Sequence, residues 1–295
     1  SIPDLRGNEA NYLLDCINTG YVSTVGSKVV IFEDSLSNFL RIEKGTICAL
    51  STGTDSLTVG LRAAELTKDE HLIMPSYTFI ATANSIFNAG YSPIILDVSK
   101  RDSYTLSTTI LREFLENETD WKDDLVHYKQ TGKRIGGIVS VAVLGNHPNL
   151  KEIRNISEKY NLLSIVDAAG AFGSEYKEDA LIDLVDFGTF SFNGNKIITT
   201  GAGGALFAKN KKFVKKVRHI ASTARIGPGY THDYNGFNAR MTNVHAAIGL
   251  AQLERVNEFL NKRREIFDFY KQSFSELKDI KSLNETPWCT SNNWL

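Results

Sequence analysis

Alternation constrains this chain more than any other feature. Short apolar runs of strand length recur along it, and between them lie segments whose apolar residues fall at helix-face spacing. The runs are TICAL (46–50), HLIMP (71–75), SPIILD (92–97), GIVSVAV (137–143), LLSIVD (162–167), FGTFSF (187–192) and GALFAK (204–209). Unbroken apolar character over so few residues reads as strands buried on both faces. Helical spacing covers 10–17 (Ala10, Leu13, Leu14, Ile17) and 29–40 (Val29, Phe32, Leu36, Leu40). It returns with Leu57, Leu61 and Ala64 after STGTDS, and in LKEIRNISEKY with Leu150, Ile153, Ile156 and Tyr160. Past residue 241 the chain is strongly helical, with Val244, Ala247, Ile248 and Ala251 on one face and Phe259, Phe267, Tyr270 and Phe274 farther on. This pattern predicts an α/β fold: a mostly parallel central sheet covered by helices on both faces. Ligands of such sheets bind beyond the carboxyl ends of the strands. Residues 118–134 are polar and are expected to form a surface excursion.

A length of 295 residues suits one large domain with a small appendage. The expected division is a large domain over 1–250, including the N-terminal helices, and the start of a small C-terminal domain over 251–295. TPWCTSNNWL stops as an apolar segment begins, so the chain is expected to be a truncated form of a longer protein. A formal net charge of −1 offers no reason to expect nucleic acid or an anionic membrane as partner. Cys16, Cys48 and Cys289 are too dispersed for a metal pattern or a disulfide framework, so a reducing cytoplasm is the expected location. The first ten residues carry no basic-then-apolar leader, and no apolar run approaches the length of a membrane span.

Three strand ends carry candidate chemistry. In STGTDSL a strand ends, Gly53 permits a tight turn, and Thr54 and Asp55 open a helix whose free N–H groups suit a phosphate. The plainer alternative is that Thr54 or Asp55 is only an N-cap. In SIVDAAGAFGS, Asp167 ends a buried strand, where a carboxylate is costly without a partner; a helix cap or a metal ligand is the alternative. In SFNGNKIITTGAGG, Lys196 lies between two apolar strands among small residues, including Asn193, Gly194 and Asn195. A lone loop lysine is usually a solvated cation, but one enclosed in this way loses its proton more readily and becomes a nucleophile toward carbonyls. A phosphate cradle, a buried aspartate and such a lysine are together what pyridoxal 5'-phosphate requires. The PSYTFIATAN run adds Tyr77 and Phe79, which either cover the cofactor ring or pack in the core.

TGTDSL, PSYTFIATAN, VDAAGAFGS, SFNGNKIITTGAGG and GFNARMTNVHAAIGLAQLE occur here in the order seen in DegT/DnrJ-type nucleotide-sugar aminotransferases, which the chain resembles over nearly its whole length. The resemblance implies a fold-type I enzyme using pyridoxal phosphate. It makes Lys196 the lysine that bonds the cofactor, and Asp167 the partner of the pyridine nitrogen. Gly53, Thr54, Asp55 and Ser191 would hold the phosphate, Phe79 would stack on the ring, and Asn193 would join the cofactor-binding set. Asn238 would reach the cofactor of a partner subunit, which implies a homodimer with shared active sites. One position departs: relatives place a polar side chain where this chain has Gly170. The implied reaction moves an amino group from L-glutamate to a nucleotide-linked 4-keto-6-deoxy sugar, making a 4-amino sugar for cell-surface glycans. The N-terminal segment and NGNKIITTG look most like the branch using UDP-linked N-acetylhexosamines, and are similar also to the GDP-perosamine branch. In the family the chain beyond an N-x-W-L segment completes the small domain. Two alternatives are a sugar dehydratase on the same scaffold, which would carry His in place of Lys196, and a non-catalytic or regulatory member of the fold.

Overall fold

The seven strands of the central sheet are β1 (Ile47–Leu50), β2 (His71–Pro75), β3 (Ser92–Leu96), β4 (Ile135–Val141), β5 (Leu163–Asp167), β6 (Phe187–Ser191) and β7 (Gly204–Phe207). They come from a computed structural model that describes residues 2–99, 103–177, 179–283 and 285–294. Their order across the sheet is β1-β7-β6-β5-β4-β2-β3. All neighbours from β6 to β3 are parallel, while β7 runs antiparallel to both β1 and β6. Each expected strand is present, within a few residues of its apolar run. The single reversal has a local cause. Residues 192–203 form a tight connection that folds the chain straight back beside β6, with no helix between. That connection contains Lys196, and it lies at the same edge as the carboxyl ends of β1, β2, β4, β5 and β6.

Both sheet faces are buried, as the unbroken apolar runs predict. Ile47 and Ala49 enter a core with Phe32, Leu36, Phe172, Phe190 and Phe192. Cys48 and Leu50, alternating with them, enter the opposite core with Leu57, Leu61, Leu72, Val217 and Ile220. The first core is covered by α1 (Glu9–Thr19), α2 (Ser27–Leu40) and α8 (Asn243–Glu254), with α2 and α8 in extensive contact. The second lies under α3 (Gly53–Ala63), α4 (Ala81–Ala89) and α7 (Lys211–Ala221). Helices α5 (Thr108–Asn117) and α6 (Leu150–Lys159) cover the β3 end, and α9 (Val256–Ser273) follows α8 after Arg255. A boundary at residue 250 would fall inside α8. After α9 the chain returns to the main body, where Cys289–Thr290 pairs with Glu175–Tyr176 in a two-stranded ladder separate from the central sheet.

The sheet edge at β1 is closed by an ion pair. Glu33 Oε1 accepts from the Ala49 N–H at 2.7 Å, Arg218 donates to both Glu33 oxygens at 3.0 and 2.9 Å, and Arg218 also donates to the Ile47 carbonyl at 3.2 Å. Side chains of α2 and α7 thus occupy backbone groups that an edge strand would otherwise present for pairing.

Residues 118–134 are not the plain surface excursion expected. Thr119–Lys122 pairs with Leu125–Tyr128 in a hairpin that buries Val126 and stacks Trp121 on Tyr160 at 5.8 Å. Its turn, Asp123–Asp124, places both residues at positive φ (51° and 59°), as a tight two-residue hairpin needs. Asp tolerates this conformation, and the charged composition masked the strand pattern. Among the described residues no helix is long and apolar enough to cross a membrane, and all three cysteines are free thiols in the interior.

Candidate active site

A cavity of about 570 Å³ opens at the carboxyl edge of the sheet. Gly53, Thr54, Phe79, Asp167, Ser191, Asn193 and Lys196 all line it, although β1, β2, β5 and β6 deliver them from distant parts of the sequence.

The turn after β1 is built by Thr52. Its Oγ1 accepts from the Asp55 N–H at 2.9 Å and donates to Asp55 Oδ2 at 2.8 Å, while Ser51 Oγ donates to the same carboxylate oxygen at 2.5 Å. The N-cap is therefore Thr52 rather than Thr54 or Asp55, and α3 begins at Gly53. Asp55 does not line the cavity; its carboxylate is spent on shaping the turn. Gly53 and Thr54 are left on the wall, where first-turn N–H groups have no intrahelical acceptor. A Cβ on Gly53 would sit 2.8 Å from Ser191 Cβ and 3.1 Å from Ser191 Oγ. Only glycine lets the head of α3 come this close to the end of β6. The result is a cradle of helix N–H groups beside a hydroxyl, which suits a phosphate.

Asp167 ends β5 and is buried, 9% exposed. Thr82 Oγ1, in the first turn of α4, donates to Asp167 Oδ2 at 2.7 Å, and the Ala169 N–H donates to Oδ1 at 3.1 Å. Thr82 has one hydroxyl hydrogen and gives it to Asp167, so Thr78 must donate to Thr82 across their 2.8 Å contact. Burial pushes the Asp167 carboxyl above its ordinary value; the Thr82 and Ala169 bonds and the charge of Lys196 oppose that rise. A cation brought to this carboxylate would be bound strongly, because little water screens it.

Lys196 sits in the connection between β6 and β7. Its N–H bonds back to the Asn193 carbonyl at 3.0 Å, and the Thr200 N–H donates to the Phe192 carbonyl at 2.9 Å. The turn is thus tied to itself, and the lysine cannot swing out with a flexible loop. Burial lowers the Lys196 ammonium below its ordinary value, and Asp167 partly offsets this. Lys196 is half-buried, between exposed Asn193 and Asn195 on one side and buried Ile197 on the other.

Tyr77 and Phe79 do not pack in the core: they are 51% and 78% exposed, and both border the cavity. Asn238 is exposed, does not line this cavity, and lies on backbone bonded to the end of α7. Two residues that sequence reasoning did not single out also belong to the site. One is Thr82, whose only signal is a hydroxyl one turn into the helix after PSYTF. The other is Trp294, whose ring occupies the space that Gly170 leaves open: a Cβ on Gly170 would lie 2.6 Å from Trp294 Cε3.

Phosphate cradle, desolvated amine and buried carboxylate fit the three ends of pyridoxal phosphate: its phosphate, its aldehyde and its ring nitrogen. The model of the DegT/DnrJ/EryC1/StrS aminotransferase family matches residues 3–295. The chain belongs to this family. Membership makes it an aminotransferase, and pyridoxal phosphate is the cofactor the family implies. It is 32% identical to the GDP-perosamine synthase of Escherichia coli O157:H7 over 98% of this chain and 76% of that protein. It is 31% identical to the UDP-4-amino-4,6-dideoxy-N-acetyl-beta-L-altrosamine transaminase of Campylobacter jejuni strain 81-176 over 86% of this chain and 64% of that protein. The fold matches the aminotransferase TlmJ of Streptoalloteichus hindustanus with a TM-score of 0.87 at 23% identity, covering 99% of this chain and 76% of that one. It matches the PLP-form of Spr1654 from Streptococcus pneumoniae with a TM-score of 0.84 at 22% identity, covering 99% and 75%. These two likenesses speak for the fold, which is the α/β architecture expected of the family.

Proposed function

We propose that this aminotransferase uses pyridoxal phosphate to move an amino group from L-glutamate to the keto carbon of a nucleotide-linked 4-keto-6-deoxy sugar. The observation that carries the proposal is the convergence of Lys196, Asp167 and the head of α3 on one cavity. Bound pyridoxal phosphate supplies an aldehyde that takes up amino groups and a ring that accepts electron density. Gly53, Thr54 and Ser191 hold the phosphate through N–H groups and a hydroxyl. The Asp167 carboxylate, kept in place by Thr82, would hold a proton on the ring nitrogen. Phe79, on the cavity wall, would lie against one face of the ring. Lys196 Nζ is the amine that would hold the cofactor's aldehyde end, and as a free amine it would take up and return a proton. A base for that step must be unprotonated near neutral pH, and burial favours the neutral amine. Asn238, exposed and away from its own cavity, would complete the site of a second subunit.

Relatives named for GDP-sugar and for UDP-sugar chemistry match this chain almost equally, at 32% and 31% identity. The UDP-sugar expectation therefore becomes one arm of a test. UDP-, GDP- and dTDP-linked 4-keto-6-deoxy sugars are incubated with the purified chain, pyridoxal phosphate and L-glutamate, and products are read by mass. One keto sugar is expected to become its amino sugar as 2-oxoglutarate appears. Cofactor binding without transamination of any sugar in the panel would overturn the proposal.

A further inference from the structure

Gly170 and Trp294 are far apart in sequence and meet in the active site. Asn292 brings them together: it is fully buried, and its Nδ2 donates to the carbonyls of Gly170 at 3.0 Å and Phe172 at 2.9 Å. Its Oδ1 accepts from the Trp294 N–H at 2.9 Å. One side chain thus registers the 291–294 segment against the loop after β5. The indole is pinned at its other end, where Nε1–H donates to the Asn195 carbonyl at 2.8 Å. With that hydrogen committed, the ring offers the cavity carbon and a π face. Lys196 Nζ lies 3.8 Å from the ring centroid, within the range of a cation–π contact. Any side chain at position 170 would collide with the ring, since a Cβ there would lie 2.6 and 2.7 Å from Cε3 and Cζ3.

We infer that Trp294 is a positioning residue for Lys196, its indole face holding the Nζ ammonium, and that Gly170 is the socket that admits the ring. The contact favours the protonated amine, the form in which Lys196 gives back a proton it has taken up. Among the described residues the charged group bearing on Lys196 is Asp167, from the end of β5, and Tyr77 shares the wall; neither is altered by a change at 170 or 294. Although the catalytic meaning rests on Lys196 being the cofactor lysine, the test needs no cofactor. The two readings can therefore fail separately.

The full 295-residue chain is stripped of cofactor and labelled with acetic anhydride across a pH series. Lys196 acetylation is read by peptide mass against an exposed lysine such as Lys209. Trp294→Leu keeps an apolar side chain but loses the π face, so the pH midpoint of Lys196 reactivity should fall by about one unit. Trp294→Phe should stay nearer the original. Gly170→Ala, which displaces the ring, should shift the midpoint as Trp294→Leu does, and the double variant should shift no further. Circular dichroism and melting curves identify the folded variants, and Gly170→Ala and Trp294→Phe serve if Trp294→Leu does not fold. A midpoint that holds or rises in folded Trp294→Leu would overturn the assignment: a rise would mean that the ring only shuts out water. Fully additive shifts would overturn the socket.

Discussion

Asp167 shows how a single residue is set for a task by where it sits. Burial raises its folded-state pKa above the unfolded value, near 3.8. Its contribution to stability is therefore complete below the unfolded value and is lost as pH rises through the folded one. At neutral pH, without a cation beside it, the ionised carboxylate is a liability. Asp167→Asn can still accept from Ala169 and meet Thr82, but carries no charge. The cofactor-free variant is expected to melt no lower than the original at about pH 7. Its relative advantage should shrink as pH falls toward about 4. Pyridoxal phosphate should raise the melting temperature of the original chain more than that of the variant. A cofactor-free variant that melts well below the original chain at neutral pH would contradict this account of the site. The sequence made Asp167 legible because a carboxylate ending an apolar strand demands a partner. It did not make Thr82 legible, because a threonine in a helix start is ordinary until the strand it touches, 85 residues away, is in place.

At the scale of elements, the contact that matters most is that between the head of α3 and the end of β6. Gly53→Ala would force its methyl against Ser191 Cβ at 2.8 Å. Overpacking of this kind costs about 1–3 kcal/mol, which urea unfolding would measure. Affinity for pyridoxal phosphate should fall with it, because the cradle widens. Gly194, with nothing within 4 Å of its would-be Cβ, is the control and should accept alanine with little change in stability. Equal effects at the two positions would contradict the close-approach reading. The strands of the central sheet were readable because each is a short apolar run with a clear end. Helix α7 carries the same kind of signal, with Asn210 as its cap and Val214, Val217 and Ile220 on one face, but its lysines break up that stripe along the sequence. The N-cap of α3 was misplaced by two or three residues because STGTDS contains several residues able to cap. Only the geometry shows that Ser51 and Thr52 both donate to the Asp55 carboxylate, leaving Thr52 as the cap.

At the scale of the whole molecule, one end of the sheet gathers its chemistry from four strand ends, and exposed Asn238 remains outside that gathering. If Asn238 serves a partner's site, Lys196→Ala and Asn238→Ala chains should complement each other. Hybrid dimers would hold one site with Lys196 from one chain and Asn238 from the other. Random mixing of the two would restore up to about a quarter of the original activity, from half the dimers with one of two sites intact. Activity of the mixture equal to the mean of the two parents would show that the sites are not shared. The pairing of Gly170 with Trp294 also belongs to this scale. Each residue is unusual where it stands, but no local pattern connects them; Asn292 does so only in the folded chain.

The central claim is that Lys196 is the residue that bonds the cofactor's aldehyde. The most direct measurement is to add pyridoxal phosphate to the purified chain, reduce with borohydride, digest, and locate the modified peptide by mass. The expected result is a stable phosphopyridoxyl group on Lys196, absent from Lys196→Ala. Modification at another lysine, or no modification in a chain that binds the cofactor, would contradict it.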